Sequence, residues 1–238
     1  PAKKVSGKKQ DEKIGIYDLK AIRSVPLNPE VLGKTKKGNI VFEEIKFTSV
    51  PGVRTYMILS YKEGANRLPG ILVVDRFKAK TKEVEATNNY VGISVAPVSG
   101  NMDPKKKDTS GGPRMDPSTF SMDNHYSENP NNSYIYHHTV ALLRALDYLE
   151  SLSEVDLGKT VVSGYSWPGL MVTHLHALDD RPAAFVLFHG LGYYSDPDGM
   201  SGGKRSPISR KQYEMYGAAS YAKYGKKPIW VGVALDDY

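Results

Sequence analysis

The sequence predicts a single α/β domain built around a doubly wound, mostly parallel β-sheet. Three observations lead to this fold class. The chain has 238 residues, which is enough for one large α/β domain. Short, continuously apolar runs recur along it, as expected of strands that are buried on both faces of a parallel sheet. Helical patterns separate several of these runs, and such alternation implies right-handed crossovers between parallel strands.

The strands are predicted from these runs in chain order. Residues 40–48 alternate partly between apolar and polar, and residues 53–61 follow a Pro51-Gly52 turn signal, so the two segments form an antiparallel entrance to the sheet. The continuously apolar strands are predicted at residues 70–74, 91–98, 160–162, 183–188 and 228–235.

Three helices are predicted between and after these strands. Residues 134–152 place apolar side chains at helical spacing, from Val140 to Leu152. Residues 170–178 form a shorter apolar helix, and residues 209–224 form a more polar one.

Two long segments, residues 99–132 and 190–207, are rich in small and polar residues and have no clear period. Loops of this length in a compact domain usually have a function, such as shaping a binding cleft. Both follow predicted strands, so we expect them to lie over the carboxyl ends of the sheet and to border one cleft. Tyr126, Tyr193 and Tyr194 then either stack on a sugar ring or pack inside the protein.

The composition indicates which classes of partner, such as membranes or nucleic acids, the protein is expected to bind. Hydrophobic residues make up 40% and charged residues 24%, which is typical of globular proteins. The sequence lacks the run of about 18 apolar residues that a membrane span needs, so no membrane partner is predicted. The net charge of +6 comes largely from lysines clustered at residues 3–13 and 105–107. Because neither cluster carries interleaved aromatics, we expect solvated segments and no nucleic-acid partner.

The two ends of the chain carry further expectations. Residues 1–14 are basic and poor in large apolar groups, which predicts a disordered tail, and residues 15–238 are predicted to form the single domain. The chain begins at Pro1, for which a removed signal peptide is one explanation, so a secreted or periplasmic location is favoured over a cytoplasmic one. The 238 residues include no cysteine, which excludes disulfides, thiolate metal sites and cysteine catalysis within them.

The sharpest chemical signal is the segment 160–170, TVVSGYSWPGL. A β-run enters Gly164-Tyr165-Ser166 and an apolar helix leaves, which is the context of a nucleophile elbow. Ser166 would be the nucleophile, and the N–H of Trp167 would help to bind the oxyanion at the positive end of the helix. Pro168 stands where the usual pattern has a second glycine, a position that suits the first turn of a helix. The alternative is an ordinary strand-to-helix turn with an incidental serine.

A second signal is the pair Asp236-Asp237, directly after the predicted strand 228–235. A carboxylate after a late strand suits the acid of a triad in the chain order Ser, Asp, His. Its role would be to orient the histidine and to stabilise its charged form. An acidic strand end without function is the alternative.

From about residue 40 onward, the chain resembles the acetyl xylan esterase and cephalosporin C deacetylase group of α/β-hydrolases, close to the dienelactone hydrolase-like esterases. The elbow and the acid block are specific in combination, while the other matching segments are generic for the fold. The segments that carry the resemblance are residues 68–74, 145–149, 154–156, 163–169, 219–224 and 228–237.

The resemblance implies an α/β-hydrolase fold and selects Asp237 over Asp236, because the family block ends in Val-Gly-x-x-Leu-x-Asp. The family has His-Gly after the strand at 70–74, whereas this chain has Asp75-Arg76-Phe77, so the second oxyanion donor would be the N–H of Arg76. The family histidine lies well beyond the acid. We therefore expect a histidine-bearing segment after Tyr238, an inactive or nearly inactive 238-residue chain, and an exposed apolar edge at 228–235.

The 238 residues contain 6 histidines, each an alternative candidate for the base. His137 and His138 are predicted to be packing or surface residues of a helix, and His174 and His176 to lie on the face of the helix after the elbow. His189 follows a strand and is the substitute base if the chain supplies its own. The sixth is His125.

The predicted function is that of a serine carboxylesterase removing short acyl groups, such as acetyl, from a small-molecule or carbohydrate ester. The alternatives are another serine hydrolase of the same fold, such as a peptidase or lactone hydrolase, and a non-catalytic binding module. No cofactor or metal is predicted, because the sequence has no convincing metal spacing, phosphate loop or dinucleotide fingerprint. The oligomeric state is not predicted.

Overall fold

The computed structural model describes residues 13–74, 84–96, 110–111, 126–188 and 209–232. Within these ranges, eight strands form one sheet and two short strands form a ribbon. The ribbon strands are β1 (Lys13–Ile14) and β2 (Tyr17–Asp18). The sheet strands are β3 (Glu30–Lys37), β4 (Ile40–Val50), β5 (Val53–Lys62), β6 (Leu68–Val74), β7 (Val91–Val95), β8 (Val155–Tyr165), β9 (Ala184–Phe188) and β10 (Ile229–Gly232). The helices are α1 (Leu19–Ser24), α2 (Tyr134–Leu149), α3 (Trp167–Leu178), α4 (Arg210–Tyr216) and α5 (Ala218–Ala222), with a 3₁₀ turn at Pro130–Asn132.

The sheet has the strand order β3-β4-β5-β7-β6-β8-β9-β10. The pairs from β3 to β7 are antiparallel, and those from β7 to β10 are parallel. The chain places β7 on one side of β6 and then returns to place β8 on the other side, which is the reversal that defines a doubly wound sheet. The predicted fold class and its antiparallel entrance are confirmed.

Strand β3 was not predicted, because its sequence EVLGKTKK lacks an apolar pattern. It forms one edge of the described sheet, and its lysines pair with glutamates. Lys34 contacts Glu43 at 2.6 Å and Lys37 contacts Glu85 at 3.4 Å. Charged side chains of this kind discourage the pairing of an edge strand with another chain.

The other edge of the described sheet has the opposite character. In β10, Ile229, Trp230 and Val231 are all large apolar residues with exposed side chains, and Trp230 is 54% exposed. The ring of Trp230 packs edge-on against Phe188 of β9, with the centroids 5.1 Å apart. The expected apolar edge is therefore present among the described residues.

The structure corrects the predicted helix at 209–224. It is two short helices, α4 and α5, which are separated at Gly217. Gly217 has an extended backbone with φ −63° and ψ 137°, and a Cβ there would lie 2.7 Å from the carbonyl oxygen of Tyr213. The extended backbone of Gly217 interrupts the helix, and the close approach of the Tyr213 carbonyl leaves no room for a side chain there. The apolar spacing alone could not reveal this break.

The N-terminal elements β1, β2 and α1 were not predicted either. Lys13 and Ile14 belonged to the predicted tail 1–14, yet they form β1, so the ordered part of the chain extends to at least residue 13. Ile14 and Tyr17 are buried in the main core. Asp18 caps α1 by accepting from the N–H of Ala21 at 2.9 Å, a local helix-start signal that the sequence does contain.

Helices α2 and α3 are the most buried elements beside the sheet. Every residue of α3 is buried, and in α2 only Tyr136 and Asp147 are not. Ser133 begins α2 by accepting from the N–H of Tyr136 at 3.3 Å. The predicted start of α2 is confirmed, and its end lies three residues before the predicted one.

A network of charged side chains lies just beyond the last residue of α3. Arg181 binds the carboxylate of Asp179 with its guanidinium and contacts Asp147 of α2 at 2.7 Å. Arg144 also binds Asp147, at 2.6 Å, and Arg23 of α1 reaches Asp179 at 3.3 Å. Burial alone lowers the pKa of the Arg181 guanidinium, but its hydrogen bonds and attraction to Asp179 and Asp147 raise that pKa overall. The network joins α1, α2 and the end of α3.

Candidate active site

Ser166 lies between the last residue of β8 and the first residue of α3, as predicted for a nucleophile elbow. Its backbone has φ 63° and ψ −129°, a conformation that L-residues with a side chain rarely adopt. Such a conformation costs about 1–3 kcal/mol and persists only where the surroundings hold it. Here the Ser166 N–H donates to the carbonyl of Phe188 at 2.7 Å, and the Ser166 carbonyl accepts from Gly169 at 2.8 Å.

Gly164 explains how the turn can be so sharp. A Cβ at this position would lie 2.8 Å from Val172 of α3 and 3.0 Å from the backbone of Pro168. The helix therefore packs directly on the backbone of β8, which only glycine permits without displacement. Pro168, in the first turn of α3, fits a position where a helix does not use the backbone N–H.

The Ser166 side chain is half-buried and makes no capping hydrogen bond to α3. Its hydroxyl is therefore not committed to holding the helix end. The N–H of Trp167 is the first of α3 and lies at the positive end of the helix dipole. A serine hydroxyl beside such a group is the arrangement that acyl transfer requires.

The other predicted site residues, Arg76 and Asp237, lie outside the described residues, as do Asp236, His125, His189, Tyr193 and Tyr194. The last described residues before Arg76 and Asp237 are Val74 of β6 and Gly232 of β10. Val74 pairs with Gly164, and Gly232 pairs with Phe188. Both residues therefore lie at the carboxyl ends of the parallel strands, on the same side of the sheet as Ser166.

His174 on α3 is committed to structure at both ring nitrogens. Its Nδ1 lies 2.7 Å from the Tyr17 hydroxyl, and its Nε2 lies 2.9 Å from the carbonyl of Tyr216. A carbonyl only accepts, so Nε2 carries the proton and Nδ1 accepts from Tyr17. Burial lowers the pKa of His174 to about 4. His174 is thus a buried, neutral residue of α3, the helix on whose face it was predicted to lie.

The remaining described histidines are also buried, and each has a hydrogen-bond partner at one ring nitrogen. His176 donates from Nε2 to the carbonyl of Lys227 at 2.8 Å, and His137 donates from Nε2 to the carbonyl of Asn131 at 2.8 Å. His138 is fully buried, and burial lowers its pKa to about 3. None of the four described histidines hydrogen-bonds to Ser166. His137 and His138, predicted to be packing or surface residues, are buried, and His174 and His176 lie on α3 as predicted.

Tyr126, expected either to stack on a sugar ring or to pack inside the protein, lies in the core. It is 1% exposed, and its ring lies edge-on to Trp167 with the centroids 6.0 Å apart. The sequence carried no signal for this contact, because 41 residues of chain separate the two rings. The segment around Tyr126 and helix α4 do meet, since Gln212 donates to the Tyr126 carbonyl at 2.9 Å.

Two further features bear on the class of site. Over the described ranges, no group of three or more histidine, aspartate or glutamate side chains is arranged to hold a metal ion. Every helix in those same ranges is too short or too polar to cross a membrane.

A doubly wound sheet with a serine in a strained turn after its central strand defines the α/β-hydrolase fold. No family model matches the chain, and no curated protein matches it by sequence. Solved structures do match. Acetyl xylan esterase 1 from a Thermoanaerobacterium species has a TM-score of 0.70 and 14% identity, over 89% of this chain and 74% of that one.

Two more matches have the same fold. An acetyl xylan esterase from a Paenibacillus species has a TM-score of 0.64 and 13% identity, over 91% of this chain and 85% of that one. A glucuronoyl esterase from Solibacter usitatus has a TM-score of 0.56 and 15% identity, over 89% of this chain and 69% of that one. These similarities confirm the α/β-hydrolase fold that the sequence resemblance predicted.

Proposed function

We propose that this protein is a serine carboxylesterase that removes short acyl groups, such as acetyl, from a carbohydrate ester. The observation that carries the proposal is the backbone of Ser166, with φ 63° and ψ −129° at the turn from β8 into α3. A serine that merely linked a strand to a helix would have no reason to keep this strain. The similarity of the fold to esterases named for acetyl xylan and glucuronoyl esters supports the substrate class.

The proposed reaction passes through an acyl-enzyme. The Ser166 hydroxyl attacks the acyl carbonyl while a histidine takes its proton, and the N–H groups of Trp167 and Arg76 bind the resulting oxyanion. The carbon–oxygen bond to the alcohol then breaks, and the histidine returns the proton to the leaving alcohol. Water hydrolyses the acyl-enzyme by the same route and releases the carboxylic acid. Asp237 orients the histidine, and no cofactor takes part.

The base in this proposal is a histidine outside the described residues, because the four described ones are buried and hydrogen-bonded elsewhere. His189 is the candidate within this sequence. The variant His189→Ala in the full-length protein separates the possibilities. Retained hydrolysis would assign the base to another histidine, whereas a loss as large as that of Ser166→Ala would assign it to His189.

The direct test is covalent labelling of the full-length protein with a fluorophosphonate, followed by hydrolysis of p-nitrophenyl acetate. We expect the label on the peptide containing Ser166, and we expect Ser166→Ala to lose both labelling and turnover. Ser163→Ala is the matched control, because Ser163 lies three residues earlier in β8 and pairs with Val73 and Val186. An unlabelled wild-type protein, or equal labelling of Ser166→Ala, would contradict the proposal.

A substrate panel then addresses the ester itself. We expect acetylated xylooligosaccharides to be cleaved faster than longer acyl esters, peptides or lactones. A methyl glucuronoyl ester belongs in the panel, since one of the similar structures is named for that activity. Preference for a peptide or lactone would replace the esterase proposal by another serine hydrolase of the same fold.

A further inference from the structure

We propose that Tyr126 is a positioning residue for the oxyanion hole, because its buried ring fixes Trp167 and thereby the Trp167 N–H beside Ser166. This inference rests on the proposed function, in which that N–H binds the oxyanion. It concerns described residues that pack against Trp167 beside the strained backbone of Ser166.

The first step is the contact between Tyr126 and Trp167. The indole of Trp167 is only 9% exposed, and the Tyr126 ring meets it edge-to-face, with an interplanar angle of 86°. Edge-to-face pairs contribute about 0.5–1.5 kcal/mol beyond the burial of their area, and they restrain both rings. A restrained Trp167 side chain limits rotation of its own backbone, which includes the N–H next to Ser166.

The second step is that Tyr126 is itself fixed. Its ring is edge-on to Tyr216 of α4, with the centroids 5.8 Å apart, and Tyr216 is fully buried. The Tyr126 carbonyl accepts from the side chain of Gln212 at 2.9 Å. Two residues later, Glu128 pairs with Lys211 at 2.6 Å. The chain at residues 126–128 is therefore held along α4 by packing, a hydrogen bond and an ion pair.

The third step is that α4 is tied back to the nucleophile helix. The carbonyl of Tyr216 accepts from Nε2 of His174, which lies on α3 seven residues after Trp167. Residues seven apart lie on the same face of a helix. Trp167, Tyr126, Tyr216 and His174 thus form a closed path, which we call the aromatic brace. It contacts α3 at its first residue and again two turns later.

The brace offers a physical reason why the elbow keeps its shape. The backbone of Ser166 would relax from φ 63° if its neighbours allowed it. Its N–H is held from one side by Phe188, and the brace holds the next residue from the other side. Loss of the Tyr126 ring should therefore displace the Trp167 N–H from its position beside Ser166.

The test compares Tyr126→Leu with Tyr126→Phe in the full-length protein. An oxyanion donor contributes about 10²–10³-fold to kcat, so a displaced donor should lower the kcat for p-nitrophenyl acetate by about 10- to 100-fold. The KM should change little, because the effect acts on the transition state. Tyr126→Phe keeps the ring and should restore kcat to near the wild-type value.

Two further variants separate positioning from stability. Tyr148→Leu removes a buried tyrosine that stacks on Phe47 of β4 and makes no ring contact with Trp167, so it should lower the melting temperature but leave kcat unchanged. Gln212→Glu loses the donor to the Tyr126 carbonyl but keeps the oxygen that accepts from Ser209 in the helix cap. It should fold normally and lower kcat by a smaller factor than Tyr126→Leu, even if Tyr126→Leu itself fails to fold.

Fluorescence reports the brace independently of catalysis. The 238 residues contain 2 tryptophans, so Trp230→Phe leaves Trp167 as the sole tryptophan among them. In that background, Tyr126→Leu should shift the Trp167 emission to the red, and Tyr126→Phe should not. Unchanged kcat and emission in Tyr126→Leu, or equal losses of kcat in Tyr126→Leu and Tyr148→Leu, would overturn the inference. A wild-type protein that is neither labelled at Ser166 nor active would reject the proposed function, and the positioning role with it.

Discussion

The two ends of helix α3 are built from different chemistry. At its first residue, the chain holds a strained serine backbone with uncharged aromatic packing from Tyr126 and Trp167. Just past its last residue, Asp179 and Arg181 are tied into a network of ion pairs with α1 and α2. The first residue of α3 lies at the carboxyl ends of the parallel strands, and the last residue of α3 lies near their amino ends.

The two ends of α3 therefore have different roles. The first end bears on function, and the second end bears on stability. Strain at Ser166 raises the energy of the folded state, so it must be offset elsewhere. The charge network is far from the reacting atoms and can be optimised for holding elements together. Substitutions at the two ends should therefore have opposite consequences for activity and stability.

The largest expected effect is that of Ser166→Gly. Glycine adopts φ 63° without steric cost, so relief of strain should raise the free energy of unfolding by about 1 kcal/mol. Activity should fall by several orders of magnitude, because the nucleophile is gone. Urea denaturation and p-nitrophenyl acetate hydrolysis measure the two changes. A less stable Ser166→Gly would show that the elbow is not strained and would remove the contrast between the two ends.

At the opposite end, Arg181→Leu should destabilise the fold without affecting catalysis. The change removes the main partner of the buried Asp179 carboxylate and should lower the free energy of unfolding by about 3 kcal/mol. At temperatures where the variant stays folded, its kcat should equal that of the wild type. A kcat that falls along with stability would mean that the two ends of α3 are coupled.

Acid should weaken the packing around His138, a fully buried residue of helix α2. His138 has a folded pKa of about 3, below its unfolded value near 6.5, so the unfolded chain binds the proton more readily. The stability that depends on neutral His138 is complete above pH 6.5 and declines as the pH falls toward 3. Between pH 7 and pH 5, the wild type should lose about 2 kcal/mol more than His138→Phe. Chemical denaturation at the two pH values measures this, and equal losses in both proteins would contradict it.

The smallest effect is expected from an exposed ion pair. Lys37 is 77% exposed at its side chain and contacts Glu85 at 3.4 Å on the β3 edge. Lys37→Ala should change the free energy of unfolding by less than about 0.5 kcal/mol. A loss comparable to that of Arg181→Leu would show that burial does not distinguish the two kinds of ion pair in this protein.

The sequence predicted the structure well at positions where a residue type has a single physical reason to occur. Gly164 and Ser166 predicted a sharp turn from a strand into a helix, and continuous apolar runs predicted the parallel strands, because both signals are local. The polar edge strand β3 and the break at Gly217 were missed. An edge strand needs no apolar face, and the break depends on how closely the Tyr213 carbonyl approaches.

The site was predictable only in part for a related reason. Ser166, Trp167 and His174 belong to one continuous stretch of chain, whereas Tyr126 and Tyr216 reach helix α3 from distant parts of the sequence. No spacing rule connects such residues. Arg76 and Asp237 stay predictions, since they lie outside the described residues.

The attachment of Tyr17 to α3 has a consequence for the time course of folding. Tyr17 bonds to His174 across 157 positions of sequence, and the Ile16 N–H reaches the Tyr221 hydroxyl across 205. Contacts between such remote positions form slowly, because a long loop must close first. Ser166, the proposed nucleophile, should therefore reach its final position late during refolding, after the sheet has formed. Timed addition of a fluorophosphonate to refolding protein would then record the completion of the fold, with labelling that lags behind the recovery of β-sheet circular dichroism.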